Sequence, residues 1–309
     1  MKVLFMGTPD FAVFSLKAII EAGHEICGVI TQPDKPKGRG YVLTPPPVKV
    51  VAEEAGIPVY QPQTLRDEAF AALLSELDPE ICVVVAYGKI LPKNVLDYPR
   101  YGCVNVHGSL LPEYRGAAPM QRAIIDGKKF TGITTMYMAE GLDTGDMLLR
   151  EEIKILENDN FEDIHDKLGM CGASLIVRTL EGLAEGSIER QTQDEAAATY
   201  AAKITKDVCL IDFSKPAEEV HNLIRGLSPI PLSFTHTPDG KLLKVTKSVL
   251  CPDAKGGEAG EVLSIDGGIT VACGNGAVTL LGVVPEGKKA MSACDFVRGR
   301  KISVGDILK

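Results

Sequence analysis

Residues Ile81 to Gly88 read ICVVVAYG, a continuous apolar and largely β-branched run, and no other feature constrains the fold as much. A strand that is apolar on both faces needs cover on both, the situation of parallel sheets in α/β domains. The neighbouring segments fit that demand. Lys2 to Gly7 is a short apolar run ending in Gly7, Thr8 and Pro9, and Asp10 to Glu21 has helical apolar spacing at Phe11, Phe14, Leu16, Ile19 and Ile20. His24 to Thr31 reads as a second buried strand, Val48 to Ala55 as a helix, and Phe161 to Gly186 as a long amphipathic helix that packs on the sheet. Strands alternating with helices predict a doubly wound, Rossmann-like α/β domain with a mostly parallel sheet.

At 309 residues the chain exceeds what one hydrophobic core usually organises, so a second domain is expected. Ser187 to Thr205 is polar and Ala-rich without strand periodicity, and reads as the crossing. Beyond it, Glu218 to Arg225 looks helical. Short alternating runs follow near Leu232 to His236, Leu242 to Leu250, Gly260 to Ile265, Gly268 to Cys273 and Ala277 to Val283, with Asp239-Gly240, Asp266-Gly267 and Asn275-Gly276 as turns. The expectation is therefore an α/β domain over 1–186, a linker over 187–205 and a small OB-like β barrel over 206–309, of a type that binds oligonucleotides.

Charge and cysteine usage narrow the function classes. The net charge is -8, yet from Lys206 onward there are 13 Lys+Arg against 12 Asp+Glu, so the second domain is near neutral and can offer a local basic patch to a nucleic acid. Eight cysteines are scattered without a CxxC pair, which predicts reduced thiols and no metal site. Pro9 and Asp10 interrupt the N-terminal apolar stretch before a signal-peptide core forms, and no apolar run reaches membrane-spanning length; the expected location is the cytoplasm, with no membrane partner. The absence of GxGxxG and GxxxxGK[ST] disfavours dinucleotide oxidoreductase and P-loop readings.

In a doubly wound sheet, ligands bind outside the carboxyl ends of the strands, so the loops starting at Gly7, Gly88, Gly108 and Ala139 are expected around one cleft. The run Gly102 to Gly116 reads GCVNVHGSLLPEYRG, with Cys103 to Val106 as a strand. Asn105 and His107 lie two apart and so point to the same face of an extended chain. A carboxamide and an imidazole at the end of an apolar strand cost free energy when unsatisfied, so they need a ligand or each other. The bland alternative is a turn cap and a satisfied core histidine. Asp143 lies in AEGLDTGDM, residues 139 to 147, between Gly141 and Gly145, and such an Asp is often just a turn residue. Taken together, the three groups suit acyl transfer to an amine. A donor amide and an imidazolium stabilise an oxyanion, and a carboxylate orients the histidine and helps relay protons. No Ser, Cys or Lys stands beside them as an obvious covalent nucleophile.

The segments FMGTPDFA (5–12), TQPDKPKGRG (31–40), NVHGSLLPEYRGAAPMQRAI (105–124) and GLDTGDML (141–148) closely resemble the bacterial methionyl-tRNA formyltransferases, a family of folate-dependent formyltransferases. The resemblance extends over essentially the whole chain, including KKAMSA at 288–293. It implies that Asn105, His107 and Asp143 match the family's catalytic triad, with 10-formyltetrahydrofolate as co-substrate and initiator methionyl-tRNA as acceptor. It places the pterin against Gly88, Lys89, Ile90 and Leu91 and against Ala139, Glu140, Gly141 and Leu142, with Ser109, Leu110, Leu111 and Pro112 nearby.

The Gln32 to Val48 loop is too long and polar for a simple connection, and its Lys35, Lys37 and Arg39 can contact phosphates. In the family a corresponding loop enters the acceptor stem, and its important arginine matches Arg39. The family also holds tRNA on the barrel, where Lys241, Lys244 and Lys247 lie, although a charge run is usually a solvated face. A monomer is expected. Open alternatives are a glycinamide ribonucleotide or sugar-nucleotide formyltransferase, a formyltetrahydrofolate hydrolase, and a non-catalytic tRNA-binding protein.

Overall fold

A computed structural model describes all residues except 38–40, 252–253, 255 and 300, together with the side chain of residue 37. The chain divides into two compact units. The first comprises Met1–Gly116, Gly132–Ile153 and His165–Tyr200, and the second Ala117–Thr131, Lys154–Ile164 and Ala201–Lys309. Among the described residues, no helix is long and apolar enough to cross a membrane.

The main sheet has seven strands: β1 (Lys2–Gly7), β2 (Glu25–Ile30), β3 (Val59–Tyr60), β4 (Ile81–Val85), β5 (Cys103–His107), β6 (Phe130–Tyr137) and β7 (Met147–Lys154). Their order is β7-β6-β5-β4-β1-β2-β3. Pairing is parallel from β3 to β5 and antiparallel between β5 and β6. The ICVVV residues of β4 are all buried, as a central strand covered on both faces requires. Helix α1 (Asp10–Glu21) opens on Pro9 and an acidic first turn, and α2 spans Pro47–Glu54. Helix α3 (Glu68–Leu77) is capped by Asp67, whose carboxylate accepts from the Phe70 N–H at 2.9 Å. A short helix α4 (Pro119–Ile125) and the long α5 (Phe161–Glu185) follow.

Gly7 shows why β1 must end in glycine: a Cβ there would stand 2.8 Å from the Ala12 Cβ and 3.0 Å from the Val85 carbonyl oxygen. Strand order reverses across β1, whose neighbours are β2 and β4, which puts a topological switch at the carboxyl ends of β1 and β4.

Sequence periodicity passes over several elements. Helix α3, helix α4, strand β7 and a short hairpin (Lys35–Lys37 with Val42–Thr44) all lie where loops or unassigned segments are expected. Part of the polar 187–205 stretch runs along the first unit. Gln191 and Met147 exchange backbone hydrogen bonds at 2.8 and 2.9 Å, and the Arg115 N–H donates to the Thr199 carbonyl at 2.9 Å.

In the second unit, helix α6 (Ala217–Gly226) precedes an antiparallel sheet of β8 (Ser233–His236), β9 (Leu242–Cys251), β10 (Val262–Ser264), β11 (Ile269–Ala272), β12 (Ala277–Pro285) and β13 (Met291–Ser292), and α7 (Ala293–Arg298) ends it. The order is β8-β9-β12-β11-β10, with β13 on β12. The last residues join the two outer strands. Leu308 N–H donates to Gly260 O at 2.9 Å, while Lys309 and His236 exchange backbone hydrogen bonds. The curled sheet thereby closes into the expected small barrel around Val245, Val262, Val271, Leu280 and Phe296.

Candidate active site

The site forms in the first unit, at the carboxyl end of β5. Asn105 pairs in register with Val84 and Met136, and His107 with Thr134, so both side chains leave one face of the sheet. His107 is buried, at 6% exposure. Its Nε2 lies 3.0 Å from the Tyr114 carbonyl, which can only accept, so Nε2 carries a hydrogen. Nδ1 is then the nitrogen that exchanges a proton, and it faces Asp143 Oδ2 at 3.7 Å. That separation is within ion-pair range and beyond a good hydrogen bond. The Asn105 carboxamide makes no hydrogen bond among the described residues, which leaves its donor and acceptor for a ligand.

Asp143 is held by geometry that only this loop provides. Its φ is +53°, a left-handed conformation that costs a non-glycine residue roughly 1 kcal/mol. The Gly116 N–H donates to Oδ2 at 2.8 Å. A Cβ on Gly145 would fall 1.9 Å from the Tyr137 carbonyl oxygen, so the loop lies directly on the end of β6. Tyr114 at φ +59° and Ala86 at +46° are further left-handed residues on the strand-end loops of this face. The Tyr114 conformation aims its carbonyl at His107.

Two groups essential to this geometry escape sequence reasoning. Arg115 is 0% exposed, yet it carries a full charge. Its guanidinium donates to Glu195 at 2.9 and 2.8 Å and, through Nε, to Gln193 Oε1 at 3.0 Å. The fork raises the pKa of Arg115 and holds the Glu195 carboxyl below the usual range. Gln193 in turn donates to the Asp143 and Gly145 carbonyls at 2.7 and 2.8 Å. No local periodicity marks either residue; the usable sign is that a buried Arg must have partners.

The residues expected at the folate divide into accessible and inaccessible ones. Gly88, Ile90, Ala139, Glu140, Gly141 and Leu142 are exposed, with Ile90 at 79% and Leu142 at 61% offering apolar surface to a planar ring. Lys89 is half-buried, its amine donating to the Pro62 and Gln63 carbonyls at 2.9 and 2.8 Å. Leu91 belongs to the core. Ser109 is fully buried, its hydroxyl donating to Glu113 O at 2.6 Å, and Leu111 packs with Met136 and Met147. Leu110, half-buried, closes over Gly132, and Pro112 is half-buried beside it. Tyr87, next to Gly88, has a buried hydroxyl without a partner among the described residues, and burial pushes its pKa up to about 12.

Among the expected nucleic-acid contacts, Lys35 is exposed on the hairpin, while the side chain of Lys37 and all of Arg39 lie outside the described residues. Lys241 is tied to Asp239, Lys244 points outward between the buried Leu243 and Val245, and Lys247 is exposed at a bulge of β9. The described residues contain no cluster of three or more His, Cys, Asp or Glu placed to hold a metal.

Comparison with known proteins bears on this geometry. A family model for formyl transferase matches residues 1–180, and one for the formyl transferase C-terminal domain matches residues 203–301. The chain is 49% identical over 306 residues to a methionyl-tRNA formyltransferase of Bacillus licheniformis, covering 98% of this chain and 96% of that one. It is 48% identical over 311 residues to the Bacillus subtilis protein of the same name, covering 99% and 97%. Among solved structures, the sugar 3N-formyl transferase WlaRD, determined with dTDP and 5-N-formyl-THF, superposes with a TM-score of 0.67 at 19% identity, covering 94% of this chain and 99% of that one. HypX of Aquifex aeolicus, in complex with tetrahydrofolic acid, gives 0.66 at 17%, covering 96% and 47%.

Proposed function

The chain belongs to the methionyl-tRNA formyltransferase family, and from that premise we propose how its own residues carry the reaction. It transfers the formyl group of 10-formyltetrahydrofolate to the amino group of methionyl-tRNA. Asn105, His107 and Asp143 are the catalytic residues in this reading. The observation that carries it is the pair His107 Nδ1 and Asp143 Oδ2, 3.7 Å apart, beside a carboxamide with no partner among the described residues.

The chemistry needs a new bond from the methionine nitrogen to the formyl carbon, and then loss of the bond from that carbon to N10. Asn105 donates to the formyl oxygen as charge gathers there, and His107, protonated at Nδ1, adds a second donor. Asp143 takes the proton that the amine gives up, and the imidazolium returns one to the departing nitrogen. The 3.7 Å separation leaves the two partners free to serve different substrate atoms. The exposed Ile90 and Leu142 and the open space beside Gly88 fit a planar ring held by backbone groups.

We assign the first unit to catalysis and the barrel to tRNA. The acceptor is the initiator methionyl-tRNA, held by Lys35, Lys37 and Arg39 and by the barrel lysines Lys241, Lys244 and Lys247; the enzyme works as a monomer in the cytoplasm. Support for the tRNA surface is the exposure of Lys35 and Lys247.

Single-turnover transfer from labelled 10-formyltetrahydrofolate to charged initiator tRNA tests the reading. Asn105→Ala, His107→Ala and Asp143→Ala should each lose at least about a hundredfold. Formate release without transfer to tRNA would overturn the acceptor, and wild-type rates in the three variants would overturn the site.

A further inference from the structure

Gly116 fixes the carboxylate of Asp143, but the backbone that carries it is held by one side chain from a remote stretch of chain. Gln193 is 5% exposed and its carboxamide is fully used. Nε2 donates to Asp143 O at 2.7 Å and to Gly145 O at 2.8 Å, while Oε1 accepts from Arg115 Nε at 3.0 Å. Two carbonyls of one loop are thus tied to a single amide, on both sides of the Asp143–Thr144 link, around the left-handed φ of Asp143. Arg115 decides which way that amide faces. A guanidinium only donates, so the Gln193 oxygen must point to it and the NH2 must point to the loop. Glu195 grips the other end of the guanidinium and keeps it in place.

We propose that Gln193, oriented by Arg115, is a positioning residue for Asp143. It sets the separation between the carboxylate and His107 Nδ1 without touching either substrate. The inference rests on the catalytic reading of Asp143 given above.

The test is single-turnover formyl transfer by the full chain in wild type, Gln193→Ala, Gln193→Glu, Asp143→Asn and the Asp143→Asn/Gln193→Ala pair. Gln193→Glu keeps the volume and the acceptor for Arg115 but loses both donors. Both Gln193 variants should slow transfer by about tenfold to a hundredfold, with KM for tRNA within about twofold. In the Asp143→Asn background the Gln193→Ala change should cost less than about twofold, because no carboxylate remains to be positioned. A folded Gln193 variant at the wild-type rate overturns the proposal, as does an equal loss in both backgrounds, the mark of a merely structural role. Asp143→Asn at the wild-type rate refutes the catalytic reading itself, which separates that failure from this one. Should Gln193→Ala fail to fold, Gln193→Glu alone and with Asp143→Asn gives the same comparison.

Discussion

Gly145→Ala is the smallest change expected to disable the site. The added methyl would sit 1.9 Å from the Tyr137 carbonyl oxygen and 2.8 Å from its carbon, both backbone atoms. Carbon and oxygen approach to about 3.3 Å at closest in ordinary structures, so the loop must open by roughly 1.4 Å. It cannot open freely, because Tyr137 N–H donates to Asp146 O at 2.9 Å and Gln193 holds Gly145 O at 2.8 Å. Overpacking of this kind costs about 1–3 kcal/mol of stability. A displacement near 1 Å at a catalytic group costs about a hundredfold in rate. Asp143 lies two residues away, so the expected result is a melting temperature lower by a few degrees and a transfer rate down by about two orders of magnitude. Gly23→Ala is the control: it also has a positive φ, +77°, but nothing lies within 4 Å of the added methyl, so stability alone should respond. Single-turnover transfer and thermal melts decide it. A soluble Gly145→Ala protein transferring within about threefold of wild type would refute the argument that Tyr137 and Gln193 fix the loop.

Four other outcomes follow from the same structure. Leu308 is 2% exposed beside the contacts that close the barrel, so Leu308→Ala should destabilise the second unit by about 2–4 kcal/mol in a denaturant titration and leave the isolated chemical step unchanged. Burial lowers the pKa of His221 from 6.5, and its neutral ring is satisfied by Ser248 Oγ at 2.9 Å and Glu157 O at 3.3 Å. Its contribution is therefore complete above pH 6.5 and is lost as pH falls below it, and His221→Gln should flatten the fall in melting temperature below pH 6.5. Burial pushes the Cys171 thiol up to about 12 and Cys273 up to about 11, so both should escape alkylation at pH 8 in the folded protein and react in urea, with the half-exposed Cys251 and Cys294 modified before them by mass spectrometry. Arg39→Ala should leave folate binding intact and raise KM for tRNA, and normal kinetics with tRNA would refute the assignment of the Gln32 to Val48 segment to the acceptor stem.

Much of the fold is written in local patterns. The β4 run is apolar at every position because both faces are covered, and the barrel strands are separated by Asp-Gly and Asn-Gly turns that fix where each run ends. Helix α3 carries the signs as well, an Asp67 cap and Phe70, Leu74 and Leu77 on one face, but its ten residues are too few for the apolar spacing to stand out. Strand β7 hides because Leu149, Glu151 and Ile153 are only half-buried and Glu151 breaks the apolar alternation on that face. That Asn105 and His107 share one face of β5 is legible in their two-residue spacing, whereas the partner of His107 Nε2 is a backbone carbonyl, which no residue type announces. The partners of the Lys89 amine are likewise two backbone carbonyls, which the sequence does not mark.

What local pattern cannot carry is the satisfaction of polar groups across the chain. The partners of Asp143 come from 27 and 50 residues away, and Arg115 meets Gln193 across 78. Period and propensity report on residues within a turn or a pleat of one another, so they are silent about such pairs. A different rule is not silent. A loop that folds under the sheet end must bury Arg115, and a buried guanidinium requires a carboxylate and a further acceptor. The polar stretch around 187–205 supplies both, as Glu195 and Gln193, within three residues. That requirement ties a stretch that reads as a tether to the first compact unit. A free tether would leave the Arg115 charge buried without its carboxylate, and would take from the loop around the left-handed Asp143 the two hydrogen bonds that Gln193 donates.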